Sequence, residues 1–426
     1  MSIVKNISIN SIIGVISKII VFALLPIILE ISNPEVYGQY GLILIVVLWF
    51  EKVTVGPFTN GLARWFHKKN VLKSDFSQII YSSILISIIL ASIGSVIFYY
   101  SDPILNFLVI FLVITTTVFY SYMESSLRFQ GFHKKVAIYM GIRNVSIPFF
   151  QILFLKYNLD ISSFIIPIIF GNLIFSFISF NSFKGLFSYL IFDLTKIKGM
   201  LYYSVPLIIV GLSVTSFFLI DRYLVKQLFG FEKLAELTLA AQIAAIFSIS
   251  ISTPIKQVLV PDLLSLENNE IKFQEITNKI YGLITIISII AISVLFFLHD
   301  VILDFLDKSG NYNISKYLVF LFLVYHFLAT MSVFYKAPYL LALKSKYISY
   351  VSIASMIISL IFLILNLEKY GLIIIGYSYL LISVIPIIIF RFYNNEKYKL
   401  PKKIVFIELL LLTLLSFVIY FNPLIF

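Results

Sequence analysis

Thirteen apolar stretches divide this chain from end to end, at about 9–30, 38–60, 77–100, 103–125, 136–157, 161–181, 201–221, 235–260, 278–298, 314–336, 344–366, 370–391 and 404–425. Each holds roughly 20 mostly apolar residues, enough at 1.5 Å per residue to cross a hydrocarbon core of about 30 Å. A backbone in that core must satisfy its own hydrogen bonds, which a stretch of this length does as an α-helix. The gaps are about 20 residues or shorter, too short for a soluble domain. The pattern predicts an all-α polytopic membrane protein of about 13 spans.

Charge orients it. The gaps after spans 2, 4, 6, 10 and 12 are basic: Arg64, Lys68, Lys69 and Lys73; Arg128, Lys134 and Lys135; Lys184, Lys196 and Lys198; Lys336, Lys344 and Lys346; Arg391, Lys397, Lys399, Lys402 and Lys403. With Lys5, Lys272 and Lys279 this face carries 21 lysines and arginines. The other face has 7: Lys156, Arg222, Lys226, Lys233, Lys308, Lys316 and Lys369. The gaps after spans 1 and 3 hold acids only, Glu30 with Glu35 and then Asp102. Positive-inside asymmetry therefore predicts a cytoplasmic N-terminus and cytoplasmic even gaps, with Phe426 outside if span 13 crosses.

Composition closes other readings. With 60% apolar residues the chain is too oily for a soluble protein of this length. The net charge of +11 sits in short loops, where orientation and anionic headgroups account for it, so no nucleic-acid partner is expected. There is no cysteine, which excludes disulfides, thiolate catalysis and cysteine metal sites. The first span is too long for a signal-peptide core and lacks a small-x-small cleavage site, so it reads as a signal anchor.

The order along the chain is two halves and a tail. Residues 1–181 form an N-lobe of six spans, 182–200 a cytoplasmic amphipathic linker, 201–395 a C-lobe of six spans, and 396–426 an extra C-terminal span. In the linker Phe183, Leu186, Phe187, Leu190 and Ile191 fall at helical spacing, as in an interfacial helix. Even span counts relate the halves by a pseudo-two-fold along the membrane normal. Each half opens with a proline-containing helix (Pro26, Pro206) and a turn assigned a glycine (Gly38, Gly230). Residues 262–279 read as a polar surface helix.

Six segments carry a family resemblance: NPEVYGQYGL (33–42), GLARWFHKK (61–69), LRFQGFHKK (127–135), YSVPLIIVG (203–211), FFLIDRYLV (217–225) and QVLVPDLLSL (257–266). Each is degenerate alone; their order over 400 residues resembles the polysaccharide-biosynthesis (O-antigen) flippases of the multidrug/oligosaccharidyl-lipid/polysaccharide exporter superfamily. The resemblance covers residues 5–395. It implies two six-helix lobes around a central cavity, and alternating access that carries an undecaprenyl-diphosphate-linked oligosaccharide across the bacterial cytoplasmic (inner) membrane for O-antigen, capsule or exopolysaccharide assembly. It implies a monomer without cofactor, whose partners are the lipid-linked oligosaccharide, membrane lipids and other polysaccharide-assembly proteins.

Such a cargo crosses apolar core only where a polar path replaces its hydration, with cations for the phosphates. Charges inside spans are therefore informative, since each costs a few kcal/mol unless it faces a cavity or partner. The substrate-binding candidates are Lys18, near mid-membrane in span 1; Lys52 in span 2; Arg143, about seven residues into span 5; and Arg222, at the outer end of span 7. Glu51 and Asp221 are candidates for coupling or gating. Lys18 and Arg143 read alternatively as a structural ion-pair partner and a snorkelling side chain, and Asp221–Arg222 as an interfacial anchor. Adjacent helical residues point about 100° apart, so Glu51 and Lys52 are expected to face different surroundings. Lys256 near the end of span 8 reads as snorkelling.

The chain reads as no enzyme. Its histidines (His67, His133, His299, His326) lack metal-site spacing, and it has no phosphate-binding glycine loop. Asp300, Asp304 and Asp307 read as an ordinary acidic external loop. A polysaccharide polymerase or ligase is the alternative of a different class, but the longest external gap, about 299–313, is short for an acceptor site. An ion-coupled drug exporter of the same superfamily is the nearer alternative; the in-span cations favour an anionic cargo.

Overall fold

The computed structural model describes residues 2–56, 73–101, 106–183, 194–248, 270–308, 310–341 and 344–392. Within them the regular elements are helices: α1 (Ser2–Ile31), α2 (Pro34–Thr54), α3 (Lys73–Ser101), α4 (Phe107–Phe129), α5 (His133–Leu155), α6 (Ser162–Phe183), α7 (Leu194–Phe247), α8 (Glu270–Phe297), α9 (His299–Leu306), α10 (Lys316–Leu341), α11 (Ser345–Tyr370) and α12 (Ile373–Phe392). Ten of these are long and apolar enough to cross a membrane, α7 among them; α1 adds the shorter apolar segment Ile19–Ile31. Helices thus cover the described parts of spans 1–12 of the sequence reading. Span 13, residues 249–269 with Lys256, and 184–193 of the linker lie outside the described residues. The polar helix read at 262–279 is helical over its described part, where it runs from Glu270 straight into span 9 as one helix, α8.

α7 reverses on itself. Its backbone is helical throughout except at Gly230, whose φ of 82° and ψ of −179° lie in a region essentially confined to glycine. Trp49 Nε1, late in α2, donates to Ser216 Oγ at 2.8 Å. Gly38 and Gly41, early in α2, face the Phe231 backbone carbonyl and the Thr238 side chain. The first arm (194–229) therefore runs antiparallel to α2 and the start of the second (231–239) parallel to it. Span 7 and the described part of span 8 are one helical hairpin. Past Asp221 and Arg222, read at the outer end of span 7, the helix runs on for seven more residues before Gly230, about 10 Å of rise.

The glycine echo between halves also fails at Gly38. α2 starts at Asn33, whose Oδ1 accepts from Val36 N at 2.8 Å, with Pro34 in the first turn. Gly38 is consequently inside the helix, where a side chain would strike the α7 backbone.

By packing, the chain forms two compact units, Met1–Leu239 with Val301–Ile314, and Ala240–Asp300 with Ser315–Phe426. In the first, α4 packs on α3, α5 and α6, and α5 on α6; α1 lies along α5. In the second, α10 packs on α8, α11 and α12, and α11 on α12. The order of partners is the same for spans 3–6 and 9–12, as an internal repeat requires. Short helix α9 and its turn join the first unit, with Phe305 stacked on Phe22 at 6.1 Å and Tyr312 edge-on to Tyr37 at 5.9 Å. Burial pushes the Tyr312 hydroxyl up to about 12. Asp307 caps its own loop: it accepts from Tyr312 N at 2.7 Å and Asn311 N at 3.2 Å. His299 and Lys316 hold the Asp300 carboxyl below its usual range.

α11 shows what solvent this fold expects. Ser345, Ser349, Ser352, Ser355 and Ser359 are its buried face, while Ile358, Ile361, Ile364 and Leu365 are exposed, Leu365 to 75%. Small hydroxyls let helices approach and bond back to their own carbonyls, as Ser352 Oγ does to Ile348 O at 2.8 Å. A helix with serines inside and isoleucine and leucine outside is stable only with its exposed face in lipid. The protein is a multi-pass membrane protein.

Candidate functional site

Within the first unit, polar side chains from α2, α4, α5 and α6 line up between apolar helices. Arg143 is at their centre. It lies ten residues into α5, about 15 Å along that helix from its start. Its Nε donates to Asn172 Oδ1 at 2.8 Å and its Nη1 to Asn144 Oδ1 at 3.2 Å. The guanidinium carbon sits 4.0 Å from the Tyr120 ring centroid. Asn172, fully buried on α6, donates to Thr117 Oγ1 at 3.0 Å and Thr116 Oγ1 at 3.3 Å. Tyr120 is edge-on to Phe175 at 4.8 Å.

The series continues both ways. Toward one end the Tyr40 hydroxyl lies beside Gln151, and the Tyr40 ring stacks on Phe164 at 4.7 Å. Toward the other, Glu124 lies beside Tyr120 and accepts from Arg128 Nε at 2.8 Å. Glu51 also acts on Tyr120 electrostatically.

Each acid in this series has a cation. Glu124 pairs with Arg128, and Glu51 Oε1 is 3.7 Å from Lys52 Nζ. That contact corrects the expectation that Glu51 and Lys52 face apart. Lysine's four-carbon stem passes the Gly211 position on α7 and its ammonium returns to its neighbour. Arg143, by contrast, forms no ion pair among the described residues. Seating a charge at a helix centre in lipid costs about 2.5–3.5 kcal/mol. Membrane hydrogen bonds return about 0.6–1.7 kcal/mol each, and a cation–π contact about 0.5–2. The terms nearly cancel, so the guanidinium is held in place with its charge uncompensated.

The remaining candidates fall elsewhere. Asp221 and Arg222 are both buried in the first unit, with Arg222 Nη1 donating to Asp221 Oδ1 at 2.7 Å and to Phe218 O at 3.2 Å. Lys18 is on α1, and its side chain lies outside the described residues. Its neighbour Ser17 faces Gly141 of α5, which puts the Lys18 backbone level with Arg143. The sequence reading missed Tyr40, Thr117, Tyr120, Gln151 and Asn172, all neutral. A signal existed in α4, where Thr117, Tyr120, Glu124 and Arg128 recur every three or four residues on one helical face.

The fold has solved counterparts. An inward-facing multidrug-resistance MATE family transporter of the MOP superfamily matches with a TM-score of 0.69 at 12% identity, over 91% of this chain and 95% of that one. The lipid II flippase MurJ, in an inward closed conformation, matches with a TM-score of 0.62 at 16% identity, over 98% and 92%. The Vibrio cholerae MATE transporter VcmN in its bent form matches with 0.54 at 14%, over 93% and 99%. At such identities the likeness shows the fold, which is that of MATE transporters and MurJ. No curated protein matches the sequence. The model of a family described as polysaccharide biosynthesis protein matches residues 3–267, more than half of the sequence. The chain therefore belongs to the polysaccharide biosynthesis protein family.

Proposed function

We propose that this protein is a flippase of the bacterial cytoplasmic membrane, carrying an undecaprenyl-diphosphate-linked oligosaccharide repeat unit outward for O-antigen, capsule or exopolysaccharide assembly. Arg143 carries the reading: a central guanidinium without a carboxylate among the described residues suits an anionic cargo. Family membership supports polysaccharide assembly, and the MATE- and MurJ-like fold supports transport. A cationic-drug exporter would need the reverse arrangement, an acid in excess. In the first unit Glu51 and Glu124 already have Lys52 and Arg128 beside them.

Lobes of residues 1–181 and 201–395 rock about a central path, exposing it to the cytoplasm and then outside. Lys18, Lys52, Arg143 and Arg222 draw the diphosphate along that path, and Glu51 and Asp221 set its charge balance during gating. The bond between lipid and sugar stays intact, so the protein acts as a carrier.

Reconstitution tests this. Vesicles holding the purified protein and a fluorescent lipid-linked oligosaccharide are exposed to a glycosidase added outside. Wild-type protein should raise the cleavable fraction above the half expected for a static bilayer. Transport of a cationic dye, with the lipid-linked sugar left behind, would overturn the reading.

A further inference from the structure

Asn172 is the unexpected member of the central group. It is fully buried, it bonds to polar side chains of both α4 and α5, and it is neutral where an acid would have satisfied Arg143 better. A guanidinium has five N–H donors. One, on Nε, goes to Asn172, and one, on Nη1, goes to Asn144. The other three, including both on Nη2, make no hydrogen bond among the described residues. The Tyr120 ring covers one face of the plane at 4.0 Å. Asn172 is itself fixed, since its Nδ2 points at Thr117 and Thr116, leaving Oδ1 for Arg143. Three supports thus fix the plane of the fork and leave its donors for an oxyanion with two acceptors, a geometry that suits phosphate.

Resting on the flippase reading above, we infer that Asn172 is a positioning residue: its neutral amide aims Arg143 and leaves the charge uncancelled for the diphosphate of a lipid-linked substrate. The α4–α5–α6 group is the seat for that diphosphate, and a monoanionic or uncharged lipid binds it less well.

Asn172→Asp separates this from a merely structural role. A carboxylate keeps an acceptor at the Arg143 Nε, and the Thr117 hydroxyl can turn to donate instead of accept. Packing and hydrogen bonds survive, but a full negative charge now lies against the guanidinium. Full-length wild-type, N172D and R143K proteins are purified and titrated with farnesyl diphosphate, farnesol and inorganic pyrophosphate. Wild type should bind farnesyl diphosphate at least ten-fold more tightly than farnesol, with pyrophosphate competing at higher concentration. N172D should lose at least ten-fold for the diphosphate with farnesol affinity unchanged and thermal stability not lowered. Wild-type diphosphate affinity in N172D would overturn the inference. Should N172D not accumulate, R143K decides. It retains the charge but loses the fork, so a ten-fold loss supports the seat and an unchanged affinity overturns it. Pyrophosphate binding as tight as farnesyl diphosphate would assign the seat to a soluble oxyanion, and absent competition would assign the affinity to the tail; either overturns the lipid-diphosphate seat. The two readings fail separately. A wild-type protein that moves no lipid-linked sugar removes the function, whereas equal transport by wild type and N172D removes only the seat.

Discussion

At the residue scale, what matters is which charges have partners. Glu51 and Glu124 each stand beside a cation, while Arg143 rests on two asparagines and a tyrosine ring. Replacing Arg143 by Ala should therefore lower export by more than ten-fold while leaving membrane abundance near normal, because loss of a central charge eases insertion by about 2.5–3.5 kcal/mol. Surface polysaccharide in a flippase-deletion strain complemented by the variant, with abundance on the same cells, is the measurement. Normal polysaccharide would remove Arg143 from the path. The same assay applies to Lys18, whose backbone on α1 is level with Arg143: Lys18→Ala should abolish export at unchanged abundance. A parallel loss of protein would instead mark it as an ion-pair partner, since a carboxylate stranded in lipid destabilises the fold. Arg143 was legible in the sequence because a charge in an apolar span stands out. Asn172 was not, because an asparagine among isoleucines looks the same whether it faces lipid, backbone or a guanidinium.

At the element scale, two glycines decide how α2 and α7 fit. Gly230 adopts a backbone conformation that costs a residue with a Cβ about 1–3 kcal/mol. Gly38 lets the Phe231 carbonyl approach α2, and that carbonyl cannot move without moving the turn. Gly38→Ala is expected to cost about 1–3 kcal/mol through overpacking, seen as a lower unfolding temperature in detergent. Gly56→Ala is the control, since a Cβ there meets no atom within 4 Å among the described residues. Equal melting of the two variants would mean the helices separate easily at this contact. α11 offers the opposite test. Ser355 is fully buried, so Ser355→Leu should destabilise although it makes the helix more apolar, whereas Leu365→Val on the exposed face should change little. The positions of helices were readable from hydropathy. Their breaks were less so, because 222–229 lacks a proline or glycine and simply stays helical until Gly230.

At the scale of the whole molecule, the charge asymmetry of 21 to 7 predicts a cytoplasmic N-terminus. The absence of native thiols makes this easy to measure. In intact cells an impermeant thiol reagent should label Cys placed at Asn158, between α5 and α6, and should spare Cys placed at Lys135, at the start of α5. The reverse result would invert the topology. The two packing units repeat the same order of helix contacts for spans 3–6 and 9–12. That repeat was foreshadowed by six spans per half, but not by any segment of similar sequence.

The sequence by itself determined the all-helical membrane architecture, because apolar length and loop charge act through the solvent and need no partner. It also pointed to the family, through the order of six weak motifs. Only the tertiary structure decided which polar groups meet: that Lys52 turns back to Glu51, that Asp221 and Arg222 lie well inside a hairpin, and that Arg143 is held by neutral groups. The reason is physical. Hydropathy is a property of each residue against its solvent, whereas charge compensation depends on distances of about 3 Å between helices that are far apart in the chain.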